Sequence, residues 1–212
     1  MEDDAAKLRE LGAHLIYAPS VAEMYPEGFA TTVTVAGVTE GLCGASRPGH
    51  FAGVATVVAK LLIQAQPDVA LFGEKDYQQL VTIRRMARDL DLPVAIVGVP
   101  TVRDRDGLAL SSRNAYLAPA DRHVATRLHA TLSNLAWRLG AGLTTPERAV
   151  AEGRELLLRA GFRAVDYVEL RRADDLRPLP DGEPRGEARL LAAAVIGRAR
   201  LIDNLPVRFP DA

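Results

Sequence analysis

Residues 71–117 read LFGEKDYQQLVTIRRMARDLDLPVAIVGVPTVRDRDGLALSSRNAYL. The first two residues end a short apolar run, Val69 to Phe72, of the kind a parallel strand covered by helices requires. Gly73 lets the chain turn sharply out of it. From Asp76 to Leu90, Leu80, Ile83, Met86, Ala87 and Leu90 recur at helical spacing and define one buried face. Val94 to Val99 is the next apolar strand. Strand, helix, strand is a βαβ unit, and in an open parallel sheet ligands bind at the carboxyl edge of the strands. Two clusters with phosphate-binding chemistry follow these two strands: Gly73-Glu74-Lys75-Asp76 and Ser111-Ser112-Arg113.

Working outward, Ala5 to Glu10 predicts a short helix closed by Gly12, and His14 to Ala18 (HLIYA) a strand. Ser20 caps a turn of helix, and the β-branched Thr31 to Val35 (TTVTV) predicts a strand. Phe51 to Gln66 has a helical period. Beyond Pro100 the order changes. Pro119 opens a helix to about Leu139, and Thr145-Pro146-Glu147 opens another to about Ala160. Val165 to Leu170, Leu190 to Ile196 and Arg200 to Leu205 predict strands, although the alanine-rich middle one reads equally as helix. A boundary near Thr101 divides an α/β part with parallel strands, residues 1–101, from a smaller α+β part, residues 102–212.

With 212 residues, 48% hydrophobic and 25% charged, the composition is that of a globular chain. A net charge of -1 gives no nucleic-acid footprint. The single cysteine, Cys43, excludes an internal disulfide and reads as structural. The start, MEDDAAKLRELG, has no apolar core of a signal peptide, and no apolar run is long enough to span a bilayer.

Lys75 adds a mobile point charge at the start of a helix, where backbone N–H groups already favour an anion. Asp76 caps that helix or meets a ribose hydroxyl, and Gln79 stands one turn further along. Alone, the tetrapeptide reads more readily as a helix cap with surface charges. Two hydroxyls and a guanidinium at Ser111-Ser112-Arg113 suit a triphosphate, and serve equally as the opening of a short helix. The preceding loop, Val102 to Leu110, alternates Arg and Asp ahead of Gly107 and suits a mobile lid. Arg47-Pro48-Gly49-His50 leads into a helix, so Arg47 and His50 are candidates to hold a carboxylate. Asp3 and Asp4 are candidate Mg²⁺ ligands through water, or favourable first-turn charges.

LCGASRPGHFAGVATVVAKLL, FGEKDYQQL, PTVRDRDGLALSSRNAYL and the closing strands, in this order, resemble the pantothenate synthetase (pantoate–β-alanine ligase) family over essentially the whole chain. The resemblance implies a partial Rossmann-like, nucleotidyltransferase-type domain followed by the smaller C-terminal lid domain. It implies condensation of pantoate with β-alanine through a pantoyl adenylate, with ATP as substrate, Mg²⁺ present and AMP and pyrophosphate released. By motif, Gly73, Glu74, Lys75, Asp76, Val102, Leu110, Ser111, Ser112 and Arg113 bind ATP, with Lys75, Ser111, Ser112 and Arg113 acting in catalysis. Gln79 binds pantoate, and Arg47 and His50 lie near the substrate or an interface. Asp3 and Asp4 match a magnesium-associated pair. A cytoplasmic homodimer is implied, with Thr31 to Val35 a candidate interface.

The family's MGxLHxGH and FVNPxQF segments have no counterpart among these residues, and the four histidines fall elsewhere. Their absence predicts an unpaired flank beside Val69 to Phe72, low stability and weak or no catalysis. The alternatives are a non-catalytic ATP- or pantoate-binding remnant of this ligase and an adenylyl-transferring enzyme of other specificity.

Overall fold

A computed structural model describes residues 2–179 and 186–209. The chain forms two compact units, Met1–Thr32 and Val33–Ala212. The first holds helices α1 (Glu2–Glu10) and α2 (Val21–Met24). Three acids in the first turn of α1 and Lys7 and Arg9 in its last complement the helix dipole. Ser20 and Glu23 form a reciprocal capping box, with Glu23 N donating to Ser20 Oγ at 3.2 Å and Ser20 N to Glu23 Oε2 at 2.7 Å. Residues 14–18 are not a strand, and Leu15 is 83% exposed. Residues 31–35 are not a strand either. β-branched composition suits a pleated surface, but without a neighbouring strand it makes none.

The second unit runs α3 (Leu42–Ser46), α4 (His50–Ala65), β1 (Val69–Gly73), α5 (Tyr77–Asp89), β2 (Ala95–Val99), α6 (Pro119–Gly140), α7 (Pro146–Ala160), β3 (Ala164–Arg172), β4 (Glu187–Ile196) and β5 (Ala199–Arg208). β1 and β2 pair in parallel, Val69 opposite Ala95 through Gly73 opposite Val99. Ala70, Phe72 and Ile96 turn inward with α4 and α5. Val69, Leu71, Val97 and Val99 turn outward, and Leu71 is 66% exposed. The two strands are therefore apolar on both faces and covered on one among the described residues.

β3, β4 and β5 form an antiparallel sheet with β4 in the middle. Its two faces carry two cores. Leu190, Ala192, Ala194 and Ile196 of β4 join Leu128, Leu132, Leu135 and Leu157 of α6 and α7. Leu191 and Ala193 join Phe51, Leu80, Ile83 and Met86 of α4 and α5. A central strand covered by helices on both faces needs small residues where the layers close, which is why the alanine run of β4 is a strand and not the competing helix. Thr101 falls between the residues of the two cores, except that the inner face of the sheet sides with the first.

Candidate functional site

An open pocket of about 270 Å³ lies where the carboxyl edge of the parallel strands meets β5. Lys75, Asp76, Gln79, Arg47, His50 and Arg113 line it, together with Cys43, Tyr167 and Arg200. Residues 74–76 make a single 3₁₀ turn between β1 and α5. Asp76 occupies the N-cap position of α5, yet its side chain makes no capping bond. The capping role read for it is not taken up. Its carboxylate stands 3.8 Å from Lys75 Nζ and borders the pocket.

Glu74 faces away from this purpose. Its carboxylate accepts from Arg189 Nη2 at 2.8 Å, and Arg189 Cζ stands over the Tyr77 ring, 4.0 Å from its centre. Glu74 also lies close to Gly98 of β2, where a Cβ would stand 3.0 Å from both Glu74 Oε1 and Leu80 Cδ2 and would force these side chains to shift. The turn is fastened from behind by Asn204, whose amide donates to the Glu74 carbonyl at 3.0 Å and the Lys75 carbonyl at 2.9 Å.

The loop after β2 is not free. Residues 103–109 form a small hairpin, with Asp104 N donating to Leu108 O and Leu110 N to Val102 O, both at 2.9 Å. Arg103 donates to both oxygens of Asp203 at 2.7 and 2.8 Å. Arg122 of α6 donates to Asp104 and Asp106, each at 2.8 Å. Four charged side chains read as a lid are thus three bound ones and Arg105. His129 sits under Gly107 with Nδ1 buried, without a hydrogen bond, 3.6 Å from Asp203 Oδ2. Burial and the nearby Arg103 push its pKa below the ordinary 6.5, against the pull of Asp203.

Ser111 Oγ accepts from Arg113 N at 3.2 Å and opens the short turn Ser112–Tyr116. Ser111 and Arg113 both face a narrow cleft that they share with Lys75 and Asp203. Ser112 is exposed beside them.

Arg47 donates to His50 Nε2 at 2.8 Å. Arginine has no acceptor, so Nε2 is unprotonated and His50 is neutral in this arrangement. Burial first, then Arg47 and Arg113, lower its pKa, while Asp76 opposes them. Gln78, beside Gln79 in sequence, is buried. It accepts from Cys43 N at 3.0 Å and donates to Val38 O at 3.1 Å, which holds the segment before α3. Cys43 Sγ lies 3.2 Å from the Tyr167 hydroxyl and 3.4 Å from Arg200 Nη1. Burial and the Cys43 sulfur raise the Tyr167 pKa, so this phenol stays protonated.

Of the residues the sequence pointed to, Lys75, Asp76, Gln79, Arg113, Arg47 and His50 come together on one pocket, with Ser111 in the adjoining cleft. Gly73 and Glu74 supply the turn behind it. Val102 and Leu110 are exposed at the base of the hairpin. Asp3 and Asp4 lie in the first turn of α1, in the other compact unit. Among the described residues no cluster of three or more metal-ligating side chains occurs. Sequence reading missed Arg103, Arg189, Asp203 and Asn204. The available signal was polar Asp203-Asn204 in the middle of the apolar run Leu201 to Leu205, where side chains inside a sheet must find partners.

Residues 1–206 match the profile of the family described as Pantoate-beta-alanine ligase. The pantothenate synthetase of Chelativorans sp. (strain BNC1) is 58% identical over 209 residues, spanning 99% of this chain and 72% of that protein. That of Paramagnetospirillum magneticum is 59% identical over 208 residues, 97% of this chain and 72% of its own length. The crystal structure of the Thermus thermophilus pantothenate synthetase superposes with a TM-score of 0.90 at 51% identity, covering 99% of this chain and 75% of that one. A Francisella tularensis pantoate-beta-alanine ligase, solved with a β-γ ATP compound and β-alanine, gives a TM-score of 0.75 at 30% identity over 96% of this chain and 69% of its own. These likenesses favour the ligase over a non-catalytic remnant. No helix among the described residues is long and apolar enough to cross a membrane. The chain belongs to the pantoate–β-alanine ligase family.

Proposed function

We propose that the pocket at the edge of β1 and β2 carries out the family's reaction, the ATP-dependent condensation of (R)-pantoate with β-alanine to pantothenate. The observation that carries this reading is the convergence of Lys75 and Arg113, 38 residues apart in the chain, with Arg47 and neutral His50 on one open pocket. A carboxylate and a triphosphate repel each other, and cations on several sides of a partly dry pocket offset that repulsion.

The pantoate carboxylate attacks the α-phosphorus of ATP, the bond to the β-phosphate oxygen breaks, and pyrophosphate leaves. Lys75 and Arg113 take up charge on the phosphates, and Ser111 and Ser112 donate to their oxygens. Gln79 orients pantoate by hydrogen bonds. The β-alanine amine then attacks the acyl carbon of the pantoyl adenylate, loses a proton and expels AMP. Holding the reactants in place supplies much of the rate, since two bimolecular encounters become steps within one complex.

Mg²⁺ fits the donors present. Mg²⁺ prefers one or two carboxylates together with substrate phosphates and water. Asp76 is the pocket carboxylate free for that, because Asp203 is occupied by both arms of Arg103. Bound there, the ion would neutralise part of the triphosphate charge. Asp3 and Asp4 are a second candidate pair on sequence grounds. Family resemblance also supports a cytoplasmic homodimer with residues 31–35 at its interface, which light scattering tests.

The test of the main reading is the purified chain with ATP, pantoate, β-alanine and Mg²⁺. Likeness to pantothenate synthetases over nearly the whole chain favours activity over the weak or absent catalysis expected from the sequence, so the expected result is AMP and pantothenate in equal amounts, dependent on both acids. A folded chain that releases AMP without pantothenate, or neither product, overturns the reading.

A further inference from the structure

Asp203 and Asn204 are adjacent, polar and almost fully enclosed, at 4% and 3% exposure, in the middle of β5. Strand alternation sends their side chains to opposite faces of the sheet. Asp203 goes to the α6 face with Leu201 and Val207 and grips Arg103 with both oxygens. Asn204 goes to the α5 face. Its amide nitrogen donates to the Glu74 and Lys75 carbonyls, and its oxygen accepts from Arg189 Nε at 2.6 Å. The Asn204 backbone N–H donates to Asp203 Oδ1 at 2.8 Å and ties the two together.

Both residues border the pocket, yet their polar atoms are engaged within the chain. Asp203 meets Arg103 and the Asn204 amide. Asn204 spends both of its donors and its oxygen on Glu74, Lys75 and Arg189. Any effect on a ligand is therefore exerted through the groups they hold. The 74–76 turn has no side-chain cap of its own, at either its start or the start of α5. In a planar trans peptide the C=O and N–H point in opposite directions, so capture of two successive carbonyls also sets the direction of the Lys75 and Asp76 amides. On the other face, Arg103 stands at the base of the hairpin that leads directly into Ser111.

We propose that Asp203 and Asn204 are a positioning pair for the polyphosphate of the nucleotide. From one point on β5, an outer strand of the antiparallel sheet, they set the Lys75 turn on one face and the Ser111–Arg113 loop on the other. They thereby fix the separation between two cationic groups that belong to elements with no direct backbone connection. The inference rests on the reading of this pocket as the ATP site.

The test compares ATP and pantoate binding, each measured alone by calorimetry, for the chain and the variants Asn204→Asp and Arg103→Lys. Asn204→Asp keeps the size and loses both donors. Arg103→Lys keeps the charge and loses the two-armed grip on Asp203. Each variant is expected to weaken ATP at least about tenfold, because small misplacements of a binding group are costly, and to leave pantoate affinity within about threefold. Unchanged ATP affinity, or equal loss of both ligands, overturns the inference and leaves a purely structural role. If Asn204→Asp does not fold, Arg103→Lys decides alone, since its site lies at the hairpin base. A wild-type chain that binds no ATP overturns the reading of the site itself, a result distinct from wild-type binding with unaffected variants.

Discussion

Arg189 and Glu74 stand 115 positions apart in the chain and meet at 2.8 Å, with Arg189 also donating to Asn204 and stacked on Tyr77. One guanidinium thus joins the second sheet to the turn that presents Lys75. It is only 7% exposed, so these partners stand in for the water its guanidinium has lost.

Arg189→Ala removes a nearly buried cation and leaves Glu74 and the Asn204 oxygen without it. The expected loss of folding free energy is about 3 kcal/mol, within the range for breaking such a pair. Glu74→Gln keeps a hydrogen bond to Arg189 and should cost less, about 1–2 kcal/mol. Urea unfolding of both variants checks the order.

Gly44 sits inside helix α3 directly against the Thr39 carbonyl oxygen, into which a Cβ would collide. Helix propensity favours Ala over Gly by about 1 kcal/mol, but the collision is with backbone and cannot be relieved by a rotamer. Gly44→Ala is therefore expected to destabilise by about 2 kcal/mol rather than stabilise, with thermal unfolding as the readout.

Burial lowers the pKa of both His50 and His129 below the ordinary 6.5. The unfolded chain then takes up protons at a higher pH than the folded one. Stability is full above about pH 6.5 and falls as pH drops from there through the folded values. His129→Gln should flatten the stability–pH curve in this window, where carboxylates do not yet titrate. An unchanged slope between pH 6.5 and about 5 for that variant would assign the loss to other groups.

Lys75→Ala should lower kcat/KM for ATP by roughly 10²–10³, the cost of removing a group aimed at developing charge. Among the described residues its only charged partner is Asp76 at 3.8 Å, so unfolding free energy should change by less than about 1 kcal/mol. Activity and denaturant midpoint measured on the same preparation separate the two.

The β1–α5–β2 unit was legible because its signals are local. The apolar face of α5 recurs within 13 residues, and both strands end at turns whose residue types announce them. Lys75, Asp76, Gln79, Arg113 and the pair Arg47–His50 were legible as chemistry for the same reason. Residues 14–18 and 31–35 were misread because β-branched and aromatic residues suit strands wherever they stand, while a strand exists only beside another. β4 was ambiguous because alanine has no strong period, and two flanking cores settled it.

Sequence alone therefore determined the β1–α5–β2 unit, the turn after β1 and three of the cations that line the pocket, Arg47, Lys75 and Arg113, all read over a few residues. Tertiary structure decided that Glu74 pairs with Arg189, that Asp203 holds Arg103 at the base of the 103–109 hairpin, and that Asn204 holds the carbonyls of the turn before α5. These contacts join residues 100 to 130 positions apart. No local pattern encodes such partners, because each side chain is polar for a group that only folding brings near, and burial makes leaving it unpaired costly.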